Sequence, residues 1–590
     1  MSDVDADVVI VGSGPGGATF ADVITAAGWT AIVLEKGRNH LLDPEPPHEP
    51  LGRFSNDEIK LTRRHLLGPD PLLEPRTFRR DEADGARLLT GEVNNLPSTV
   101  GGGGVHADGK LPRLLELDLR LRSELGPVDG AAVEDWPVTY DDLEPYYAEV
   151  EAAIGVAGDA AANPFAPWRS GPYPMPPGPD MFGTRLSAPA AQRRGLHPYR
   201  APTGVNSVPY DGRPACIDCG FCGFYGCPVH AKGDPVAMLQ RALRTGRMQL
   251  RERAHVTDVL LDAAGHTATG VRYLDIEGEG HEVRSRYVVL AGGAFETPRL
   301  LLLNDLANSS GLVGHHLMFH VQTLTVGAFG LDLLGDRGRA VTHLHDDHLL
   351  PVTGAAAAEH GLPWFRGGLV EHGAAAGPIL EATTYPWGPQ HNEAMARSEL
   401  RRRLWVFTMQ GEDLPQPTNR VDLDPSVRDV WGRPAGRVTY RPHRHEEVAS
   451  AHHGPVLEAV LREAGAAGLL DHLSPLGELT DLDRANPLGI APAAPRHGDV
   501  PHGRRPPHER GRARGPLPRR REPAVRRLVG VRDVERLRAH AHAGRAGGAG
   551  CPPAHRDAAA ADRAHGRRAG PPARPGLARP CRGDGPVGAP

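Results

Sequence analysis

Four cysteines crowd one short stretch, Cys216-Ile217-Asp218-Cys219-Gly220-Phe221-Cys222-Gly223-Phe224-Tyr225-Gly226-Cys227-Pro228, a C-x2-C-x2-C-x4-C-P run. Thiolates are soft ligands for iron and zinc, and a glycine-rich turn lets several of them reach one point before the trailing Pro fixes the exit. The bacterial ferredoxin run has the same first spacings and one residue fewer before its last Cys. The spacing therefore points to an iron-sulfur cluster on Cys216, Cys219, Cys222 and Cys227. Zinc on four thiolates, local disulfides in an oxidising compartment and unliganded thiols are the alternatives the residues leave open.

A second stretch carries different chemistry. Asp7-Val8-Val9-Ile10-Val11 runs into Gly12-Ser13-Gly14-Pro15-Gly16-Gly17 and on into Ala18-Thr19-Phe20-Ala21. A β-branched run, a G-x-G-x-x-G turn and a helix make a dinucleotide site. Gly12 makes the turn, Gly14 leaves room for a pyrophosphate, and Gly17 lets helix and strand pack closely. The phosphates would rest on the helix N-terminus, where unpaired N–H groups and the helix dipole favour an anion. The strand Thr30-Ala31-Ile32-Val33-Leu34 ends in Glu35, about twenty residues on, where a carboxylate can accept ribose hydroxyls.

These residues need elements to hold them. Tyr287-Val288-Val289-Leu290-Ala291 predicts another buried parallel strand, ending in Gly292-Gly293, with Glu296-Thr297-Pro298 starting a helix. Residues of about 249 to 282 alternate apolar and polar, which predicts half-exposed strands and hairpins broken at Gly265 and Gly278. From about Asn39 to Leu89 the chain is Pro-rich and charged with little periodicity, so a long excursion is expected there. The four glycines Gly101 to Gly104 form neither stable helix nor strand, and predict a loop whose backbone closely approaches the cofactor.

The length of 590 residues exceeds a single core, and 40% hydrophobic with 24% charged residues fits a globular chain without a membrane span. Met1 to Ala6 are acidic, so no signal peptide is expected. Among 67 Lys and Arg only Lys36, Lys60, Lys110 and Lys232 are lysines, the usage of a GC-rich gene. The formal net charge of -5 hides a basic C-terminal stretch.

The segment Asp135-Trp136-Pro137-Val138-Thr139-Tyr140-Asp141-Asp142-Leu143-Glu144-Pro145-Tyr146-Tyr147 follows the glycine-rich loop. Then come Ala291-Gly292-Gly293-Ala294-Phe295-Glu296-Thr297-Pro298-Arg299, Asn308-Ser309-Ser310-Gly311-Leu312-Val313-Gly314 and Glu412-Asp413-Leu414-Pro415-Gln416-Pro417-Thr418-Asn419-Arg420-Val421. With the opening turn these five segments resemble, in order, the glucose-methanol-choline (GMC) family of flavin oxidoreductases, in its branch of bacterial sugar, polyol and gluconate dehydrogenases. The resemblance implies an α/β fold in which a Rossmann-like FAD-binding domain (1–124 and 211–324) is interleaved with an antiparallel-sheet substrate domain (125–210 and 325–485). It implies FAD held at Gly12, Gly14, Gly17, Glu35, Gly101, Gly102, Gly292 and Gly293, with Val256 beside the adenine. In pyranose-oxidising relatives a His at the position of His106 is joined to the flavin, although the usual following Trp is Ala107 here. Some dehydrogenases of this branch carry an iron-sulfur cluster where the Cys run stands, which would pass electrons singly to a cytochrome. Some are exported with a small signal-bearing subunit, so the expected location is the cytoplasm or, with such a partner, the periplasm.

From Ala491 onward the chain is almost wholly Ala, Arg, Gly, Pro, His, Asp, Glu, Leu and Val. Residues 486–590 are therefore expected to be a disordered basic tail. Lacking Lys and aromatic residues for stacking, it is not expected to bind nucleic acid. Stepped one base forward with degenerate codons, Pro495 to Arg512 can encode H-G-M-G-T-C-R-M-G and then P-R-T-S-V-V, and Asp533 to Gly544 can encode T-S-S-G-S-x-P-T-L-T-L. Both resemble GMC C-terminal signatures, which implies a shifted frame beginning between about Arg484 and Pro495. In the family the catalytic base is the His of the first signature. No residue of the chain as written is assigned as catalytic, and His315, His316 and His320 are read as surface or packing residues. The expected activity of an intact product is oxidation of a sugar, glycoside or polyol hydroxyl by hydride transfer to flavin. The alternatives are an oxidase using oxygen and a non-catalytic product with a basic arm.

Overall fold

The computed structural model describes residues 4–39, 74–85, 87–88, 97–105, 107–220, 222, 227–339, 341–374, 391–397 and 400–470. His106, Phe221, residues 223–226 of the cysteine run and the 486–590 tail lie outside the described residues. The chain opens with β1 (Ala6–Val11), α1 (Pro15–Ala26) and β2 (Ala31–Leu34), followed by β3 (Arg76–Arg79) and β4 (Arg87–Leu88). Then come α2 (Tyr140–Ile154), α3 (Thr184–Arg193), β5 (Tyr199–Arg200), α4 (Pro235–Arg244), β6 (Met248–Arg251), β7 (His255–Leu261), β8 (Ala268–Leu274), β9 (Gly280–Leu290) and α5 (Gly293–Leu303). The remaining principal elements begin with β10 (Val321–Ala328), β11 (Val341–His345), β12 (Val352–Thr353), β13 (Trp364–Phe365), β14 (Gly368–Ala374) and β15 (Leu404–Gly411). They end with β16 (Arg420–Arg428), β17 (Pro434–Thr439), α6 (Arg444–Glu463) and β18 (Gly468–Leu470).

Period-two alternation in β1 sends Val8 and Ile10 to one face and Val9 to the other. Val8 and Ile10 pack with Ala18 and Ala21 of α1 and Met238 and Leu239 of α4, while Val9 meets Ile32, Leu34, Val271 and Val283. Each such fully buried aliphatic contributes about 1.5–3 kcal/mol. The sheet runs β6-β2-β1-β9-β8-β7. Its β6, β2, β1 and β9 are mutually parallel, and β8 and β7 extend it as antiparallel hairpins. The C-terminal ends of β1 and β9 therefore lie side by side, each followed by a helix.

Two expectations need correction here. The β9 segment is not buried: Tyr287 is exposed, leaning on Trp29 with ring centroids 5.6 Å apart, and Val288 to Leu290 are half-buried. Helix α5 begins at Gly293, capped by Gly292, so Pro298 stands inside the helix rather than near its first turn.

The second sheet, β18-β10-β15-β14-β11-β5, is antiparallel. One face packs Val370, Trp405, Phe407 and Met409 against Leu457, Val460 and Leu461 of α6. A third sheet, β16-β17-β3-β4, contains two strands, β3 and β4, inside the stretch expected to be an excursion. The residues of β3, Arg-Thr-Phe-Arg, are all buried, although three are polar. Distant partners explain this: Thr77 Oγ1 donates to Asp424 (2.6 Å) and Arg79 Nε to Thr439 Oγ1 (2.8 Å).

Candidate functional site

The glycine turns named from the sequence meet through main chain. A Cβ on Gly12, where φ is +98°, would stand 2.5 Å from the Ala291 carbonyl oxygen and 3.2 Å from the Gly292 nitrogen. On Gly17 it would stand 2.0 Å from the Gly12 oxygen. On Gly102, at φ +53°, it would stand 3.0 Å from the Gly14 Cα, so the glycine-rich loop closes on the first turn. That loop is a 3-10 turn over Gly102–Val105. A Cβ on Gly14, by contrast, would meet nothing within 4 Å, and Gly14 is the N-cap of α1. Open space in front of unpaired helix N–H groups has the form and polarity that a pyrophosphate needs.

Ser13, which no sequence signal picked out, joins these turns. Its Oγ donates to Glu35 Oε2 (2.7 Å) and accepts from the Gly101 N–H (3.0 Å). Glu35 also accepts from Ser13 N (3.1 Å) and, through Oε1, from Gly37 N (2.9 Å). Three of the about four acceptor positions of the carboxylate are thus taken by protein, leaving one. Val256 lies on β7 opposite Tyr273, half-buried beside Val9, Ile32 and Leu34. It is close to Ala254, whose N–H donates to the Glu35 carbonyl (2.9 Å). Gly293 opens α5 at φ +75°.

The Cys run is fastened at several points. Cys216 N donates to Asn206 O (2.9 Å), Gly338 N donates to Asp218 O (3.0 Å), and Cys219 bridges to Gly338. Among the described residues no three of His, Cys, Asp or Glu stand where they could hold a metal ion. The four thiols nevertheless feel one another: burial pushes Cys222 up to about 12, Lys232 opposes this, and Cys216, Cys227 and Cys219 reinforce it. Buried cations flank the run. Arg213 donates to Ile154 O (2.6 Å) and Arg339 to Thr203 Oγ1 (3.1 Å). Among the described residues, Arg213 Nε and Nη1 and Arg339 Nε and Nη2 are buried without an acceptor. Such donors cost about 1–3 kcal/mol each when left unused. The four thiols are of the residue type that binds iron or zinc, but the described geometry does not gather three of them at one point.

One face of the second sheet carries a polar ladder also missed in the sequence. Gln322 Nε2 donates to Gln410 Oε1 (2.8 Å), and Gln410 Nε2 donates to Glu371 Oε1 (2.6 Å). Lys110 pairs with Glu371 and with Asp108 (3.2 Å), and its charge adds to burial in lowering the pKa of His320. Asp108 and Lys110 follow the glycine-rich turn in sequence, and the ladder lies opposite the apolar face that packs on α6.

A profile of the GMC oxidoreductase family matches residues 201–322. The chain is 30% identical over 486 residues to 2-methyl-1,2-propanediol dehydrogenase of Mycolicibacterium austroafricanum, covering 79% of this chain and 81% of that one. It is 28% identical to the gluconate 2-dehydrogenase flavoprotein of Pantoea cypripedii, over 74% and 75% of the two chains. It is 29% identical to 6'''-hydroxyparomomycin C oxidase of Streptomyces lividus, over 78% of each. Formate oxidase of Aspergillus oryzae RIB40 shares the fold, with a TM-score of 0.50 at 14% identity over 78% of this chain and 81% of that one. With its glycine turns closed around Ser13 and its mixed and antiparallel sheets in this order, the chain belongs to the GMC oxidoreductases, FAD-binding enzymes that act on CH–OH donors.

Proposed function

We propose that the intact protein is a dehydrogenase of a sugar, glycoside or polyol hydroxyl that sends electrons from FAD to an iron-sulfur cluster on Cys216, Cys219, Cys222 and Cys227. The observation that carries the FAD site is the meeting of Gly12, Gly14, Gly102 and Gly292 around Ser13, with open space over Gly14. Gly12, Gly14 and Gly17 with the α1 N-terminus would hold the pyrophosphate, the free acceptor position of Glu35 a ribose hydroxyl, and Val256 the adenine side. Gly101, Gly102, Gly292 and Gly293 would face the rest of the cofactor. Bound flavin supplies a hydride acceptor. The chain's own ladder of Lys110, Glu371, Gln410 and Gln322 offers alternating donors and acceptors, which suits a substrate with several hydroxyls. The named activities of the relatives, on propanediol, gluconate and fructose, support the substrate class.

The flanking cations support the cluster, since their unused donors would oppose the charge of bound thiolates. The fructose dehydrogenase relative is named as a large subunit, which supports a partner subunit; export with such a partner and a cytochrome acceptor belong to the same proposal and rest on the family resemblance. Oxygen as acceptor is the second reading, favoured by the paromomycin oxidase relative. We infer further that the stretch from about 484–495 onward is out of frame, so that the His-bearing signature is missing and the chain as written binds FAD weakly without turnover. Resequencing and a frame-corrected protein test all of this. Absorbance spectra with iron, sulfide and flavin analysis are expected to show FAD, a cluster and bleaching by sugars or polyols. A correct frame in the gene sinks the frameshift, and flavin without iron favours the oxidase.

A further inference from the structure

The second sheet is half-open on the side away from α6. Along β15, Phe407 and Met409 are buried on α6 while Thr408 and Gln410 are only half-buried, and in β10 Gln322 and Leu324 repeat the pattern. Register sets Gln322 directly opposite Gln410, with Glu371 diagonally across on β14, where it accepts from Gln410 Nε2 (2.6 Å). Once the ladder's own bonds are made, Gln322 Oε1 and one N–H of each amide remain, among the described residues, to meet hydroxyls.

The charges beside these amides are closed on one another. Lys110 pairs with Glu371 and with Asp108 (3.2 Å), the three side chains being 15%, 7% and 21% exposed. Burial raises the pKa of Glu371, Lys110 opposes this and Asp108 adds to it. With Glu371 ionised the trio carries one net negative charge, and with Glu371 protonated it carries none. In neither state does Lys110 have charge to spare for a second carboxylate. His320 supplies none at neutral pH, because burial and Lys110 hold its pKa below the ordinary value. The trio also stands at the exit of the glycine-rich turn. Lys232 donates to Val105 O (2.8 Å) and to Ala107 O, and a Cβ on Gly109 would stand 3.7 Å from Lys232 Cδ. The chain from the turn to Lys110 is thus gathered on one buried side chain before Lys110 crosses to β14.

Resting on the reading of this face as the substrate side, we propose that Asp108, Lys110 and Glu371 are specificity-determining residues that admit uncharged polyols and refuse polyols bearing a carboxylate. The amides hold hydroxyls of either kind. A carboxylate is desolvated beside Asp108 and Glu371 without a cation of its own, and that penalty falls on one class of substrate alone.

The test compares glucitol with gluconate, which differ at one end of the same chain of hydroxyls, as donors to the frame-corrected, full-length holoenzyme at pH 7.5. Flavin bleaching and turnover give kcat/KM for each. The ratio is expected to favour glucitol roughly tenfold or more, with the difference carried by KM. In E371Q and D108N, each of which leaves Lys110 with charge to spare, the ratio is expected to fall toward one through better use of gluconate. A wild-type ratio near or below one, or a wild-type ratio retained in both variants, overturns the proposal. A loss of glucitol turnover without a gain for gluconate is what a merely structural role would give, and it overturns the proposal too. If circular dichroism shows E371Q unfolded, D108N decides by the same criteria. Oxidation of 1,2-propanediol but of neither probe also overturns it, whereas bleaching by no sugar or polyol at all defeats the dehydrogenase reading on which it rests.

Discussion

Ser13 occupies an unconstrained position of G-x-G-x-x-G, yet its hydroxyl is the contact between Glu35 and the Gly101 N–H. Ser13→Ala leaves that buried N–H without an acceptor and removes one partner of Glu35. It is expected to cost about 1–3 kcal/mol and to weaken FAD binding. Urea unfolding and flavin titration check this, and an unchanged midpoint would show that the hydroxyl is not the joint. Glycines were legible because each answers to a backbone need that recurs in every such turn. The serine was not, because its partners lie 22 and 88 residues away in sequence and only packing brings them near. Lysine scarcity was legible as a codon effect, but not its consequence: Lys36, Lys110 and Lys232 all sit in buried or half-buried ion contacts.

At the scale of elements, Arg299 ties α5 to the third sheet. Its Nη2 donates to Asp429 (2.6 Å), its Nε to Pro434 O (2.8 Å) and its Nη1 to Glu296 (3.1 Å), with the side chain 3% exposed. Asp429→Ala removes the shortest of the three contacts of a buried guanidinium and is expected to destabilise by about 3–5 kcal/mol, whereas joint replacement of Arg299 by Met and Asp429 by Leu should cost less. Denaturant midpoints of the two variants rank them, and the reverse order would contradict a buried pair. Strands β1 and β2 and the hairpins of β7 to β9 were legible from periodicity and turn residues. Strand β3 was not, since its polar residues are buried only against Asp424 and Thr439. The start of α5 was misplaced because Pro298 signals a helix start locally, while the helix is set by the Gly292 cap.

For the whole molecule, burial is the largest cause of a lowered pKa at nine histidines, His320, His343 and His452 among them. It pushes His255, His372, His445 and His453 to about 3 and His348 to about 4, and drives His345 well below its ordinary value. It raises Asp413 to about 6, Glu412 to about 7 and Glu446 to about 8, and moves Asp234, Asp346 and Glu371 upward as well. From pH 6.5 down to 4.5 the unfolded chain gains protons on the histidines that the native state refuses, which lowers stability. The six raised carboxyls act in the opposite sense, because the native state holds their protons, but the nine histidines outweigh them. Each net proton is worth about 1.4 kcal/mol per pH unit. Above pH 6.5 the Glu412 and Glu446 contributions remain, so stability slips slightly as pH rises. The melting temperature is expected to peak near pH 6.5–7 and fall steeply toward pH 5, and a melting temperature that rises over that descent would refute a buried neutral set. The sequence by itself determined the family, the strand–glycine–helix unit and the Cys run, because their spacing is local and answers to backbone geometry. Only the tertiary structure decided which side chains bind these pieces together: Ser13 between Glu35 and Gly101, and Lys232 between the Cys run and the glycine-rich turn. Burial and hydrogen bonding between distant residues select those partners, and neither leaves a periodic trace along the chain.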